Sequence, residues 1–317
     1  MKVLVCGAGV IGTLYGARLQ QAGHQVTVLA RASRLADIER HGLLLENVVN
    51  GDRMATAVGI TERLGPNDNY DIALVTVRRD QLSGIMPDLQ ANRNIPVLLF
   101  MLNNPSGSGH LADACGPDRV MHGFPGAGGT LDGPLVRYAM IPQQPTTLGD
   151  PRGVRTGRPR MLRDVLRKAG FRTRIDRDMD AWLLCHAFFV TAVSGAIYLA
   201  EGDCMRLSRS PAILRLMIAG VREGFRAAQA LGKPIHPLPL RVLFTCLPSP
   251  LVVRYWRRFF SDRMADYVFA RHARHATAEM RALAAECRLL LDRSRVEAPA
   301  LDQLYRAIGA DNAARAQ

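Results

Sequence analysis

The sequence predicts an α/β protein in which a doubly wound parallel sheet is followed by an all-helical C-terminal domain. Short apolar runs alternate with helical stretches through the first half, which is typical of a parallel sheet covered by helices. From about residue 178 to the end, the apolar residues follow helical spacing. We therefore predict two domains, residues 1–176 and 177–317, with the boundary inside residues 174–179.

A glycine-rich turn joins the first strand to the first helix. The apolar segment 2–6 runs directly into GAGVIG over residues 7–12, and helical spacing follows. In such a Gly-x-Gly-x-x-Gly turn, Gly7 allows the tight bend and Gly9 leaves room for a diphosphate. Gly12 allows the helix to pack closely on the strand. This context predicts a Rossmann-type, dinucleotide-binding domain.

Hydrogen-bond donors that could bind phosphate, at the start of the first helix and after the second strand, indicate the cofactor. The unpaired N–H groups of the first helical turn, which contains Val10 and Ile11, would bind the diphosphate. NAD-binding domains usually carry Asp or Glu after the second strand, where this chain has Arg31. A guanidinium suits a 2′-phosphate, so we predict NADPH/NADP+, with Arg31 as the first contact. Arg34 is either a second contact or a solvated charge on the next helix.

The rest of the first half continues the alternation of strands and helices. Apolar runs consistent with buried parallel strands cover residues 72–77, 96–101 and 120–124. Helical stretches lie near residues 34–40, 81–89 and 110–114. Residues 135–148 are extended and polar, and we expect them to close the sheet with antiparallel strands.

One helix of the second half is marked at both ends. Ser210 is a suitable N-cap, Pro211 suits the first turn, and Gly232 ends the helix. Further helices are predicted over residues 262–292 and 299–308. The apolar run 187–200 is too short for a membrane span and fits a buried helix.

Composition limits the function classes. The net charge of +13 comes almost wholly from arginines spread along the 317 residues, without a nucleic-acid motif. We therefore expect an anionic cofactor and a small-molecule substrate, with no nucleic acid and no membrane span. Six cysteines stand far apart without a Cys-x-x-Cys pair, and the chain starts directly on a strand. Both observations favour reduced thiols in a cytoplasmic protein.

Two turns after predicted strands resemble those of the ketopantoate reductase (2-dehydropantoate 2-reductase) family. The segment 75–81 resembles the family's Val-Lys-x-x-Gln strand end, in which Gln81 matches and Arg78 stands for the lysine. Asn103 matches the asparagine of its Gln-Asn-Gly turn beside the nicotinamide. The resemblance implies that Val77, Arg78, Gln81 and Asn103 contact the cofactor.

The helical half resembles the same family. Residues 178–202 are similar to the helix that opens the family's second domain, of the 6-phosphogluconate dehydrogenase C-terminal type, and residues 277–279 to its Thr-Glu segment. The resemblance implies NADPH-dependent reduction of a keto acid or ketone, as in pantothenate biosynthesis. It is compatible with a homodimer.

The family's substrate site is only partly present. Its catalytic lysine aligns with His186, or with Leu184 after a small shift, and its two asparagines align with Val190 and Ser194. The family's substrate-binding serine aligns with Tyr267. Only Glu279 matches a substrate-site residue of the family directly.

We hypothesise that His186 replaces the lysine as proton donor, assisted by Glu279, which would favour its charged form. The alternative is a histidine of the helix core. His272, His275 and Glu279 share one helix face, but three ligands on one straight helix seldom converge on one ion, so we predict no metal. His275 is instead a candidate second acid or substrate contact.

The replaced asparagines predict a changed substrate. A more apolar site should bind ketopantoate poorly, so we expect another ketone or keto acid, or the oxidation of an alcohol. The aromatic and basic segment 252–263 lines a channel, touches a membrane surface, or forms a helix with one buried and one basic face. An alternative function is an NADPH-binding but catalytically idle sensor or interaction protein.

Overall fold

Two compact units make up the chain. The computed structural model describes residues 1–152, 156–262, 265–270 and 276–309. The first unit comprises Met1–Leu102 and Ser108–Met179, and the second comprises Asn103–Gly107 and the chain from Asp180 onward. The division after residue 179 differs by a few residues from the predicted boundary. Prediction from sequence missed that residues 103–107 belong with the helical unit, because that segment follows a strand of the other unit.

Twelve strands form two sheets in the first unit. They are β1 (Lys2–Cys6), β2 (Gln25–Leu29), β3 (Leu43–Asn47), β4 (Arg53–Thr56), β5 (Gly59–Thr61), β6 (Ile72–Val75), β7 (Leu98–Met101), β8 (Val120–Phe124), β9 (Ala127–Asp132), β10 (Leu135–Met140), β11 (Thr146–Gly149) and β12 (Thr173–Ile175). The larger sheet has the order β12-β11-β8-β7-β6-β1-β2-β5. Neighbouring strands in this sheet run parallel to each other, with the single exception of the antiparallel pair β11 and β8. This doubly wound order confirms the predicted fold class.

The smaller sheet was not predicted. It has the order β4-β3-β10-β9, in which β10 pairs antiparallel with β9 and parallel with β3. The extended segment 135–148 therefore divides between two sheets, and only its end, in β11, extends the main sheet. Local alternation predicts a strand but not its partner, because the partners are set by long-range pairing.

The helices of the first unit cover the main sheet and connect its strands. They are α1 (Val10–Gln21), α2 (Ala32–His41), α3 (Met86–Ala91), α4 (Gly109–Cys115) and α5 (Arg158–Lys168). A 3₁₀ helix over Arg79–Gly84 precedes α3, so the single helix predicted near 81–89 is two pieces. Tyr15 of α1 stacks on Phe171 with 4.0 Å between ring centroids. Its hydroxyl lies 2.6 Å from Thr146 Oγ1, which joins α1 to the sheet.

The second unit is helical in the part that the structure describes. Its helices are α6 (Met179–Leu199), α7 (Cys204–Ser208), α8 (Pro211–Ala230), α9 (Leu238–Arg241), α10 (Ser249–Phe260), α11 (Thr277–Ser294) and α12 (Pro299–Ile308), with π-helical turns over Val242–Cys246 and Asp266–Ala270. Ser210 caps α8 as predicted, by accepting from Ile213 N. The predicted long helix over 262–292 is not continuous in the described residues, because a separate π-helical turn covers Asp266–Ala270 and α11 begins at Thr277.

Small residues allow close helix packing in the second unit. A Cβ at Gly195 of α6 would lie 2.7 Å from the carbonyl oxygen of Leu304 in α12. A Cβ at Gly220 of α8 would lie 2.7 Å from a methyl of the same leucine. The buried carboxylate of Glu223 accepts from the N–H groups of Ala300 (3.2 Å) and Leu301 (2.9 Å), which caps the start of α12.

The apolar helix and the aromatic, basic segment both have ordinary structural roles. Helix α6 is long and apolar enough to cross a membrane, but 83% of its apolar window is buried inside the protein. Helix α10 buries Val252, Trp256 and Phe260 and exposes its arginines, which matches the predicted helix with one buried and one basic face.

Five of the six cysteines are buried, and none is paired.

Candidate functional site

The glycine turn after β1 has the geometry that its sequence predicts. Gly7 has φ +106°, and a Cβ there would lie 2.9 Å from Val77 Cγ1. A Cβ at Gly12 would lie 1.8 Å from the carbonyl oxygen of Gly7, so only glycine fits. Gly9, by contrast, faces open space, because no atom lies within 4 Å of a Cβ built there. The turn is therefore closed on the sheet side and open at Gly9.

The open side of the turn offers hydrogen-bond donors. Gly9 is the N-cap of α1, and the first turn of α1 holds no acidic residue. Within the described residues, the N–H groups of Gly9, Val10 and Ile11 make no hydrogen bond. Thr76 Oγ1 donates toward the carbonyl oxygen of Gly7 at 2.9 Å, which holds the other side of the turn. Free N–H groups at a helix start form an anion site.

The two arginines after β2 have different environments. Arg31 is the N-cap residue of α2, and its side chain is 57% exposed with Asp88 at 3.9 Å. The Arg34 side chain is only 13% exposed, and it donates to the carbonyl oxygens of Ala8 and Pro134. Burial lowers the pKa of the Arg34 guanidinium. Arg34 is thus not the solvated charge that one reading predicted, and Arg31 is the more accessible cation.

The other predicted cofactor contacts follow β6. Val77 packs beside Gly7, as described above, and Arg78 is half exposed with its Nε 3.3 Å from Asp80. Gln81 is exposed in the 3₁₀ helix. All three lie beyond the carboxyl end of a parallel strand, where open α/β sheets bind their ligands.

A groove lies at the opposite ends of the strands. Its volume is about 570 Å³, and Lys2, Gln25 and Asp71 are among its lining residues. These residues stand at the amino ends of β1, β2 and β6. Ligands of open α/β sheets bind at the carboxyl ends, so we place the candidate site at the glycine turn and not at this groove.

A buried polar pair occupies the second unit. Asn103 Nδ2 donates to Glu279 Oε1 at 3.1 Å, and both residues are more than nine-tenths buried. Asn103 Oδ1 is buried and has no hydrogen-bond partner among the described residues. Further along α11, Glu286 accepts from Ser106 at 2.5 Å, so the segment 103–107 is fastened to this helix twice. A buried acceptor without a partner suits a ligand that brings a donor.

A predicted substrate residue on α6, Ser194, lies beside the start of α11. Val190 and Ser194 are one turn apart, and the buried Ser194 hydroxyl lies 3.3 Å from the Met280 sulfur. One turn further, the Tyr198 hydroxyl lies 3.3 Å from Thr277 Oγ1. Prediction from sequence missed Met280 and Tyr198, since only the packing of α6 on α11 brings them there. The sequence signal that could have found Tyr198 is its spacing, because Val190, Ser194 and Tyr198 are four residues apart and therefore share one face of the helix.

Two other predicted substrate residues are placed differently. Tyr267 lies half-buried in the π-helical turn that precedes α11. His275 and its neighbour His272 lie outside the described residues. Across the described ranges, no group of three His, Cys, Asp or Glu side chains could hold a metal ion.

His186 has an aromatic environment. Its ring stacks on Trp182 with 4.9 Å between centroids, and Phe189 lies at 6.2 Å. Burial lowers the pKa of His186 to about 3, so the imidazole is neutral at physiological pH. The expectation that Glu279 keeps His186 charged is therefore wrong, because desolvation dominates. A buried histidine that stacks on one aromatic ring and lies beside a second, tilted ring matches the alternative of a core residue.

We expect His186→Phe to reduce the loss of stability in acid. The unfolded chain binds a proton at His186 near pH 6.5 and the folded chain only near pH 3, so folding stability falls as pH decreases from 6.5. At pH 5 this single group costs about 2 kcal/mol, which a phenylalanine would remove. The measurement is urea unfolding of wild type and variant at pH 7.5 and pH 5. The quantity to compare between the two proteins is the loss of unfolding free energy from pH 7.5 to pH 5.

The same variant tests catalysis. A rate profile with an inflection near pH 6.5 that disappears in His186→Phe would contradict the assignment of His186 to the core.

Comparison with known proteins supports the resemblance found in the sequence. Residues 3–153 match the family model described as ketopantoate reductase PanE/ApbA. The 2-dehydropantoate 2-reductase of Mesorhizobium japonicum is 27% identical over 206 residues, which cover 58% of this chain and 63% of that protein. The chain thus spans less than two thirds of that relative. The enzyme of the same name from Archaeoglobus fulgidus is 25% identical over 73% of this chain and 75% of its own length.

A solved structure shares the fold over the whole chain. D-mandelate dehydrogenase, in a ternary complex with NADH and anilino(oxo)acetate, superposes with a TM-score of 0.78 and covers 100% of both chains. Its sequence identity is 17%, so the likeness establishes the fold alone. The predicted combination of a Rossmann-type region and a helical region is confirmed.

Proposed function

Since residues 3–153 match the model of the ketopantoate reductase PanE/ApbA family, we propose that the chain is an NADPH-dependent oxidoreductase that reduces a small-molecule carbonyl compound. The observation that carries the proposal is the glycine turn, with open N–H groups on one side and no room for a side chain on the other. This combination suits a dinucleotide diphosphate.

The choice of NADPH rests on Arg31. We propose that its exposed guanidinium binds the 2′-phosphate, which NADH lacks. Arg31→Met should therefore lower the ratio of kcat/KM for NADPH over NADH by about tenfold or more. Arg40→Met, which removes an exposed arginine from the same helix, should leave the ratio within about twofold. An unchanged ratio in Arg31→Met would contradict the assignment.

The buried pair in the second unit is our candidate for the substrate chemistry. When bound, the dinucleotide supplies a hydride to the carbonyl carbon, and the carbonyl oxygen must gain a proton. The hydrogen bond from Asn103 to Glu279 orients the amide and leaves Asn103 Oδ1 as an acceptor for a ligand donor. Because burial lowers the pKa of His186, we propose that a water molecule hydrogen-bonded to Glu279 donates this proton to the oxygen and regains one from the solvent.

The substrate that we propose is a 2-oxo acid or ketone other than ketopantoate. Val190 and Ser194 stand where the family has asparagines, and Ser194 already contacts the Met280 sulfur. A site without those amide donors should discriminate against a hydroxylated keto acid. A protein of the same fold binds anilino(oxo)acetate, which makes an aromatic oxo acid a sensible second probe.

A catalytically idle NADPH-binding protein is the second candidate. The neutral, buried His186 favours it, because this residue cannot replace the family's lysine as a charged acid. The deciding experiment mixes the purified protein with NADPH and either ketopantoate or benzoylformate, and follows NADPH absorbance. Turnover of benzoylformate above ketopantoate supports the changed preference. Faster turnover of ketopantoate contradicts it, and NADPH binding without any turnover favours the idle protein.

A further inference from the structure

Arg34 connects three separate parts of the first unit. From α2, its Nε donates to the carbonyl oxygen of Ala8 at 2.9 Å, and its Nη2 donates to Thr13 Oγ1 at 2.9 Å. Its Nη1 donates to the carbonyl oxygen of Pro134 at 3.0 Å, in the turn between β9 and β10. Thr13, which is fully buried, also donates to the Ala8 oxygen at 3.2 Å. Two donors therefore hold one carbonyl of the glycine turn.

That carbonyl sets the direction of a phosphate-binding N–H group. The Ala8 oxygen and the Gly9 N–H belong to one trans peptide unit, in which C=O and N–H point in opposite directions. With the oxygen held by Arg34 and Thr13, the Gly9 N–H must point away from them. No hydrogen bond from this N–H is made within the described residues, and the space around Gly9 is open. The peptide is thus oriented before any ligand arrives.

We propose that Arg34 is a positioning residue for the dinucleotide diphosphate and is not a reader of the 2′-phosphate. It acts through the Ala8–Gly9 peptide, and its positive charge lies behind the same turn, with Asp37 no closer than 4.0 Å. Three of the five N–H groups of the Arg34 guanidinium already donate to protein acceptors, and the side chain is only 13% exposed, which suits a structural role better than a direct contact to the 2′-phosphate. The inference rests on the proposed dinucleotide function and divides the work between two arginines: Arg31 distinguishes the cofactors, and Arg34 strengthens the binding of both.

Two ligands separate these roles. NADH has the diphosphate without the 2′-phosphate, and adenosine 2′-monophosphate has the 2′-phosphate without any 5′-phosphate. We expect Arg34→Met to weaken NADH and NADPH by the same factor, about tenfold, and to leave adenosine 2′-monophosphate within about twofold. Arg31→Met should do the reverse, weakening adenosine 2′-monophosphate and NADPH and sparing NADH. The affinities are measured by titration calorimetry, without any turnover.

Thr13→Val provides a milder second variant, because it removes the other donor to Ala8 and keeps the side-chain shape. It should weaken NADH less than Arg34→Met does and should spare adenosine 2′-monophosphate. Loss of adenosine 2′-monophosphate binding in Arg34→Met, or an unchanged NADH affinity, would overturn the inference. Wild-type protein that binds neither NADH nor NADPH would overturn the proposed function together with it. Binding without turnover would leave the division between the arginines intact.

Discussion

Glu279→Gln is expected to lower kcat/KM for the carbonyl substrate by about 10²–10³-fold while NADPH affinity stays within about twofold. Glutamine keeps the shape of the side chain and can still accept the hydrogen bond from Asn103. It removes the negative charge and the ability to exchange a proton with a bound water molecule. Steady-state kinetics and an NADPH titration on the same preparation check both parts.

A matched control exists on the same helix. Glu286 lies two turns further along α11 and also accepts a hydrogen bond from the segment 103–107, through Ser106. Glu286→Gln therefore removes a carboxylate that fastens the same segment, but one that lies outside the proposed substrate chemistry. We expect its kcat/KM to stay within about twofold of wild type. Equal losses in the two variants would assign Glu279 to holding the segment and not to catalysis.

The sequence predicts the geometry of the glycine turn well because its determinants are local. The glycine turn needs three glycines within six residues, and each of them meets a steric requirement of the turn. The presence of arginine at position 31, where NAD-binding domains usually have Asp or Glu, is equally visible in the sequence. The contacts of Arg34 could not be read, since they depend on the turn between β9 and β10, about a hundred residues away.

The helical half was predicted with less success, for physical reasons. Ser210 and Pro211 mark the start of α8 and Pro299 marks the start of α12, so both helices were placed correctly. No proline or glycine marks the start of α11, and periodicity alone extended it too far. The alignment of His186 with the lysine correctly identified a helix position, but its protonation state depends on Trp182 and Phe189 around it. Burial decides a pKa, and burial is a property of the fold.

The glycine turn allows binding and stability to be separated. We expect Gly9→Ala to weaken NADPH binding by about 100-fold, since a methyl group would occupy the open space proposed for the diphosphate. The free energy of unfolding should stay within about 1 kcal/mol, because Gly9 has φ −75° and no atom lies within 4 Å of the new Cβ. Calorimetric titration and urea unfolding of the same variant measure the two quantities.

Two further substitutions make this result specific. Gly157 is the N-cap of α5, with φ −69° and equally open space, so Gly157→Ala should change neither quantity. Gly12→Ala should lower the free energy of unfolding by about 3 kcal/mol, because its Cβ would lie 1.8 Å from the Gly7 oxygen. If Gly9→Ala bound NADPH as wild type does, the open side of the turn would not be where the diphosphate lies. The dinucleotide site would then have to be sought elsewhere in the first unit.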